Sequence, residues 1–169
     1  IERGRNILLV EDEHLLAGMV QDLLHDTGYV VTHADTLDRA LQSVAQERFD
    51  AAVLDINLGD EEVYPVAEKL RAMDVPFFFA SARGAADLAQ DFRDHPIVPK
   101  PYRIDQIENL LDAALRGELQ RSKADPRTAG DPASYTIEGF TYHFHHTYGS
   151  PPIDQQTHRV APVEVSPPR

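Results

Sequence analysis

The chain has 169 residues, 42% of them hydrophobic, with no cysteine and a formal net charge of −12. This length and apolar content suffice for one domain with a core, and the lack of cysteine excludes disulfides and thiolate metal sites. No run approaches the roughly 18 apolar residues of a membrane span, so we expect a cytoplasmic protein without a membrane partner. Residues 1–118 contain 23 acidic and 11 basic side chains, which disfavours nucleic-acid binding and favours a divalent cation or a basic partner.

Short apolar runs alternate with amphipathic helical patterns through residues 1–118. The runs are too short for helices and lack polar alternation, which is typical of buried parallel strands. The five predicted strands are residues 6–10, 29–32, 51–54, 76–80 and 97–98. The helical patterns follow them at residues 15–24, 40–45, 63–70, 85–92 and 104–114. Five strands alternating with five helices predict an α/β fold whose open parallel sheet is covered on both faces.

Charged and hydroxyl side chains come directly after most of the predicted strands. Glu11 and Asp12 follow the first strand, Asp55 the third, Ser81 the fourth and Lys100 the fifth. Because the carboxyl ends of parallel strands lie on one rim of a sheet, we expect these groups to converge there. Crowded carboxylates repel each other unless a cation neutralises them, and an oxygen-only cluster suits Mg²⁺. Each acid taken alone could simply cap a helix. The site is therefore predicted by the combination of these groups at the ends of successive strands.

Four segments resemble the receiver domain of two-component response regulators. They are residues 8–13 (LLVEDE), 53–59 (VLDINLG), 79–82 (FASA) and 99–102 (PKPY). The resemblance covers about residues 5–118, with every motif in the family's order and at its spacing. It implies a doubly wound (βα)5 receiver with the flavodoxin-like strand order 2-1-3-4-5.

The resemblance implies a magnesium site and a phosphoacceptor. Its metal ligands are Asp12, Asp55 and the backbone carbonyl of Asn57, while Glu11 acts through a bound water. Asp55 is also the expected phosphoacceptor, which takes a phosphoryl group from a histidine kinase. The other expected contacts of the phosphoryl oxygens are the Ser81 hydroxyl and the Lys100 ammonium, and the Lys100–Pro101 peptide bond is expected to be cis.

Two features separate this sequence from the best-known receivers. Ile97 occupies the position where those receivers have a switch tyrosine or phenylalanine. Segment 76–84 resembles the FAT-GUY subclass, which lacks that aromatic switch and has a short or mobile fourth helix. Arg83 lies at a position that tunes phosphoryl lifetime in the family, and it is equally well read as an ordinary surface charge.

The last third of the chain has a different composition. Residues 119–169 contain five acidic and five basic side chains, and seven of the 12 prolines lie at or after Pro126. No helix-turn-helix pattern is present, so a DNA-binding output domain is not expected. We predict a receiver at 1–118, and beyond it three further segments: a linker at 119–134, an aromatic arm at 135–148 and a proline-rich tail at 149–169.

The aromatic arm is the one structured element predicted beyond the receiver. Phe140, Tyr142 and Phe144 alternate with polar residues, as in a β-strand or hairpin with one aromatic face. Such a strand is not stable alone in water and needs a partner. The receiver itself, a second copy of the chain and a different protein are all open, and a homodimer through residues 135–148 is our expectation.

Three functions are compatible with this pattern. The first is a stand-alone response regulator that signals by protein contact. The second is the receiver module of a hybrid histidine kinase or a larger effector. An aspartyl-phosphate phosphatase fits less well, because such enzymes have a second aspartate two residues after the nucleophile, where this chain has Asn57. We therefore expect phosphoryl acceptance and autodephosphorylation, and no other enzymatic activity.

Overall fold

A computed structural model describes residues 4–119, 134–137 and 140–143. Its main sheet has five strands: β1 (Asn6–Val10), β2 (Val30–Ala34), β3 (Ala51–Asp55), β4 (Phe77–Ser81) and β5 (Ile97–Pro99). Every neighbouring pair is parallel, and the strand order is β2-β1-β3-β4-β5. The predicted sheet and its order are confirmed.

Both faces of the sheet are covered by helices. The four α-helices of the described residues are α1 (His14–Asp26), α2 (Leu37–Gln46), α3 (Tyr64–Ala72) and α4 (Ile104–Leu115). Helices α1 and α4 pack on one face, and α2 and α3 pack on the other. Successive residues of a strand point to opposite faces, so Ile7 belongs to one core cluster and Leu8 to the other. This double burial explains why the strands read as continuous apolar runs.

Local sequence signals set the helix ends. The Thr36 hydroxyl accepts a hydrogen bond from the Arg39 backbone amide at 3.2 Å, which caps the first turn of α2. Gly28 has a φ of 91°, and this left-handed conformation, which glycine adopts without strain, ends α1 and turns the chain into β2.

The stretch between β4 and β5 differs from the predicted fourth helix. It forms two 3₁₀ helices, Gly84–Asp87 and Gln90–Phe92, so four α-helices replace the expected five. Only two large apolar side chains of this stretch, Leu88 and Phe92, are buried, and their four-residue spacing produced the helical pattern. The Tyr64 hydroxyl donates to the Asp87 carbonyl at 2.6 Å and accepts from the Ala89 amide at 2.8 Å, so it bonds the backbone on both sides of Leu88.

Where the structure describes the chain, two small antiparallel ladders lie outside the main sheet. Asn57–Leu58 pairs with Glu61–Glu62 just after β3, and Ser134–Ile137 pairs with Phe140–His143. The second ladder confirms a hairpin in the C-terminal extension. The predicted linker (119–134) lies outside the described residues except at its two ends, and the predicted tail (149–169) lies wholly outside them. Residues 138–139 and 144–148 of the predicted arm also lie outside them. Within the described part of the chain, no helix has the length and apolarity needed to cross a membrane.

Candidate functional site

The carboxyl ends of four sheet strands bring the predicted groups together. Asp55 ends β3, Ser81 ends β4, Glu11 directly follows β1, and Lys100 directly follows β5. The backbone amide of Lys100 donates to the Ser81 carbonyl at 2.7 Å, which fixes Lys100 beside the end of β4. The rim expected from the strand pattern is therefore present.

Three carboxylates form the acidic part of the rim. Glu11, Asp12 and Asp55 each place one oxygen within 4.8 Å of the others. Glu11 is 1% exposed and Asp55 is 6% exposed, while Asp12 is more open to solvent. Burial raises the pKa of Glu11 to about 7, and repulsion from Asp55 adds to this rise, whereas the hydrogen bond from Lys100 opposes it.

Lys100 is the only cation in direct contact with these carboxylates among the described residues. Its Nζ lies 2.7 Å from Glu11 Oε2 and 2.7 Å from Asp55 Oδ2. Burial by itself would lower the pKa of Lys100, but the hydrogen bonds to Asp55 and Glu11 outweigh it and hold that pKa above its ordinary value. One positive charge between two buried negative charges leaves the rim electronegative.

The loop after β3 borders the same cluster. The Asn57 amide donates to Asp55 Oδ1 at 3.3 Å, and the Gly59 amide donates to Asp12 Oδ2 at 3.0 Å. These two hydrogen bonds hold residues 57–59 against the two aspartates. The Asn57 carbonyl, which is expected to bind the metal, therefore belongs to a segment that is hydrogen-bonded to both aspartates.

Ser81 is at the rim but its hydroxyl is directed elsewhere. It donates a hydrogen bond to Asp87 Oδ2 and accepts one from the Arg83 amide at 3.1 Å. The Arg83 guanidinium also pairs with Asp87, with Nε 2.7 Å from Oδ1. The 75% exposure of the Arg83 side chain is compatible with either reading of that residue.

The sequence pattern does not identify Asp87 and Tyr64 as residues of this site. The Asp87 side chain is only 5% exposed, and the Tyr64 hydroxyl holds the backbone on either side of Leu88. No sequence signal separates Asp87 from Asp91 and Asp94, which are exposed acids of the same stretch. Only the folded chain identifies which acid is buried.

Two further expectations concern the last strand. The Lys100–Pro101 peptide bond is cis, as the resemblance implied. Ile97 is 4% exposed and lies beside Phe79 in the sheet register, so a buried aliphatic side chain occupies the position of the usual aromatic switch.

The donor set fits a hard divalent cation. All the ligand atoms are oxygens, and the two buried acids have one lysine to neutralise them. The same rim offers a buried aspartate as a nucleophile and an ammonium beside it. This combination suits the transfer of an anionic group to a carboxylate.

Comparison with known proteins identifies the family. The model of the response regulator receiver domain matches residues 7–112. The KDP operon transcriptional regulatory protein KdpE of Escherichia coli is 30% identical over 125 residues, which are 72% of this chain and 56% of KdpE. The probable transcriptional regulatory protein TcrX of Mycobacterium tuberculosis is 32% identical over 117 residues, 65% of this chain and 49% of TcrX. The chain spans about half the length of the curated relatives it matches.

Solved structures show the same fold. SdrG from Sphingomonas melonis Fr1 is 40% identical, with a TM-score of 0.58, and the match covers 68% of this chain and 99% of SdrG. The receiver domain of the sensor histidine kinase PA1611 from Pseudomonas aeruginosa PAO1, with a magnesium ion in its active-site cleft, is 24% identical (TM-score 0.56, covering 67% and 98%). The chain belongs to the response regulator receiver domain family of two-component systems.

Proposed function

We propose that this chain accepts a phosphoryl group on Asp55 from a histidine kinase in the presence of Mg²⁺, and signals as a stand-alone regulator through protein contacts. One observation carries the proposal: Asp55 is buried at a strand end, 2.7 Å from the Lys100 ammonium and within 4.8 Å of two other carboxylates. We place its action in the cytoplasm. The proposal includes no enzymatic activity beyond phosphoryl acceptance and autodephosphorylation.

The metal would be held by Asp12, Asp55 and the Asn57 carbonyl, with Glu11 acting through a water. When bound, Mg²⁺ neutralises charge on the phosphoryl group. The oxygen-only cluster of this chain supports this assignment.

The transfer forms one bond and breaks another. A carboxylate oxygen of Asp55 attacks the phosphorus of the kinase phosphohistidine, the O–P bond forms, the P–N bond breaks, and its electron pair goes to the imidazole nitrogen. Lys100 already lies beside Asp55, so it can contact the phosphoryl oxygens without moving in from solvent. The Ser81 hydroxyl is the second expected donor to those oxygens.

A second reading has support from the comparisons. KdpE and TcrX are each about twice as long as the region they share with this chain, and both are transcriptional regulators by name. The chain is then the receiver module of a larger effector or of a hybrid kinase. Phosphorylation of Asp55 is common to both readings, so the test below bears on their shared chemistry.

The test is transfer of labelled phosphate from an autophosphorylated histidine kinase in the presence of Mg²⁺. Wild type and Asp60→Asn, which removes an exposed acid from the same loop, are expected to become labelled. Asp55→Asn and Asp55→Ala are expected to remain unlabelled, because they lack the attacking carboxylate. Equal labelling of wild type and both Asp55 variants would refute the proposal.

A further inference from the structure

The Ser81 hydroxyl already has an acceptor inside the protein. Ser81 is fully buried, and its hydroxyl donates to the carboxylate of Asp87, whose side chain is 5% exposed. A hydroxyl has one proton and donates one hydrogen bond at a time. While Ser81 donates to Asp87, it cannot donate to a phosphoryl group on Asp55.

Arg83 strengthens the same arrangement. Its Nε lies 2.7 Å from Asp87 Oδ1, and its backbone amide donates to the Ser81 oxygen at 3.1 Å. The carboxylate therefore holds the side chain of Ser81, which ends β4, and that of Arg83 just beyond it. Hydrogen bonds to an ionised acceptor are stronger than neutral ones. An anionic phosphoryl group would seek the same donors.

Asp87 also connects the rim to the segment between β4 and β5. The Tyr64 hydroxyl donates to the Asp87 carbonyl and accepts from the Ala89 amide. The Tyr64 ring stacks on Phe92 with centroids 5.4 Å apart and an interplanar angle of 18°. A change in the hydrogen-bond partner of the Asp87 carboxylate would therefore affect the conformation of residues 84–92.

We propose that Asp87 is an internal latch, which competes with the phosphoryl group for the Ser81 hydroxyl and is displaced when Asp55 is phosphorylated. The latch rests on the proposed function, because it assigns a regulatory step to the same site. Displacement leaves the Asp87 carboxylate without its buried donor, which is unfavourable, so the carboxylate moves toward solvent and loosens residues 84–92. This device needs no aromatic ring at position 97.

The first test measures the affinity for Mg²⁺–beryllofluoride, a phosphoryl mimic. Asp87→Ala frees Ser81 and is expected to bind the mimic about tenfold more tightly than wild type, the size expected when one charge-assisted hydrogen bond no longer competes. Asp87→Asn, which keeps the side-chain size and a neutral acceptor, is expected to lie between the two. Asp91→Ala removes an exposed acid of the same segment and is expected to match wild type.

A double variant separates the latch from general electrostatics. Removing any nearby negative charge favours an anion, and this effect would persist when Ser81 is also replaced. The latch acts through Ser81, so the Ser81→Ala/Asp87→Ala variant is expected to bind no more tightly than Ser81→Ala. Equal or weaker binding by Asp87→Ala than by wild type, or a gain that persists without Ser81, would overturn the latch. A merely structural role for Asp87 predicts weaker binding.

Hydrogen–deuterium exchange of the protein without metal or mimic provides the independent arm. Asp87→Ala is expected to increase exchange in residues 84–92 relative to wild type and Asp91→Ala, while exchange in β1 and β3 stays unchanged. Unchanged exchange in residues 84–92 would reject the latch. If wild type fails to bind the mimic at all, the proposed function fails, and this exchange comparison still decides whether Asp87 holds the segment.

Discussion

At the scale of single residues, the rim carries more negative charge than its one lysine neutralises. Lys100 neutralises one of the two buried carboxylates, and Asp12 adds a further negative charge nearby. Removing charges from water is costly unless they are paired. The folded protein without metal therefore keeps unfavourable repulsion at its functional site, which a divalent cation would relieve.

The buried Glu11 carboxyl group predicts how stability depends on pH. The pKa of Glu11 rises from 4.5 to about 7 on folding, chiefly because the side chain is buried. The folded state therefore binds this proton more tightly than the unfolded chain, so the stabilisation is complete below pH 4.5 and is lost as the pH rises through about 7. In metal-free buffer the contribution falls by at most about 1.4 kcal/mol per pH unit.

Urea unfolding at pH 4.5–8 in the presence of a chelator checks this prediction. Glu11→Gln lacks the titrating group, so it should not lose this stabilisation as the pH rises. Its free energy of unfolding minus that of wild type should therefore increase with pH up to about 7 and then stay constant. The control is Glu13→Gln, an exposed neighbour, which should follow the wild-type profile. Parallel profiles for wild type and Glu11→Gln would show that Glu11 does not titrate in this range.

The carboxylate cluster also predicts the effect of one neutral substitution on metal affinity. Asp12→Asn keeps the side-chain size but removes a charged ligand, so we expect the Kd for Mg²⁺ to rise at least tenfold. This rise is a loss of about 1.4 kcal/mol in binding free energy. Isothermal titration calorimetry with wild type, Asp12→Asn and the Glu13→Gln control measures this. An unchanged Kd in Asp12→Asn would exclude Asp12 as a ligand.

At the scale of elements, the stretch between β4 and β5 has an aromatic cluster beside its 3₁₀ hydrogen bonds, and it has no α-helical ladder. Phe92 is 2% exposed and lies against the rings of Tyr64 and Phe79, with centroid separations of 5.4 and 5.5 Å. The Arg71 guanidinium carbon lies 4.8 Å from the Phe92 ring centroid. Phe92 is thus the main anchor of a segment that forms two short 3₁₀ helices and no α-helix.

Truncation of this anchor should be costly. Phe92→Ala removes a buried ring and leaves a cavity, so we expect a loss of about 3 kcal/mol in the free energy of unfolding. Phe92→Leu retains most of the volume and should cost less than about 1.5 kcal/mol. Both values are measured by urea unfolding. A loss below about 1 kcal/mol for Phe92→Ala would mean that the segment is not anchored there.

The elements differ in how well the sequence predicts them. Strands such as residues 6–10 and 51–54 are buried on both faces, so their apolar runs identify them directly. The acids and the lysine at the rim follow from that assignment, because strand direction places them together. The 3₁₀ turns are bonded by Tyr64, a residue distant in sequence, and a local pattern cannot report such a contact. The FAT-GUY likeness stays a prediction.

At the scale of the whole molecule, the chain divides into an acidic receiver and a neutral extension. Residues 1–118 account for the entire net charge of −12. Beyond Leu119, the described part of the extension is the antiparallel pair formed by Ser134–Ile137 and Phe140–His143. The two strands satisfy part of each other's hydrogen bonding, but a lone two-stranded hairpin is only marginally stable in water.

This instability predicts that the extension supports self-association. The full chain is expected to be a dimer through the arm at residues 135–148, and a truncation after Glu118 is expected to be a monomer that keeps the receiver fold. Light scattering of both forms, with and without Mg²⁺–beryllofluoride, gives the molar masses. Identical molar masses for the full and truncated chains would eliminate the arm as a dimerisation element.

The most direct test of the central claim is to identify the residue that receives the phosphoryl group. Borohydride reduces an aspartyl phosphate to homoserine, so peptide mass spectrometry of the kinase-treated and reduced protein locates the modified position. Conversion of Asp55, dependent on Mg²⁺ and absent without the kinase, is the predicted result. Conversion of a different residue, or none in a protein that binds Mg²⁺ and the active kinase, would contradict the account.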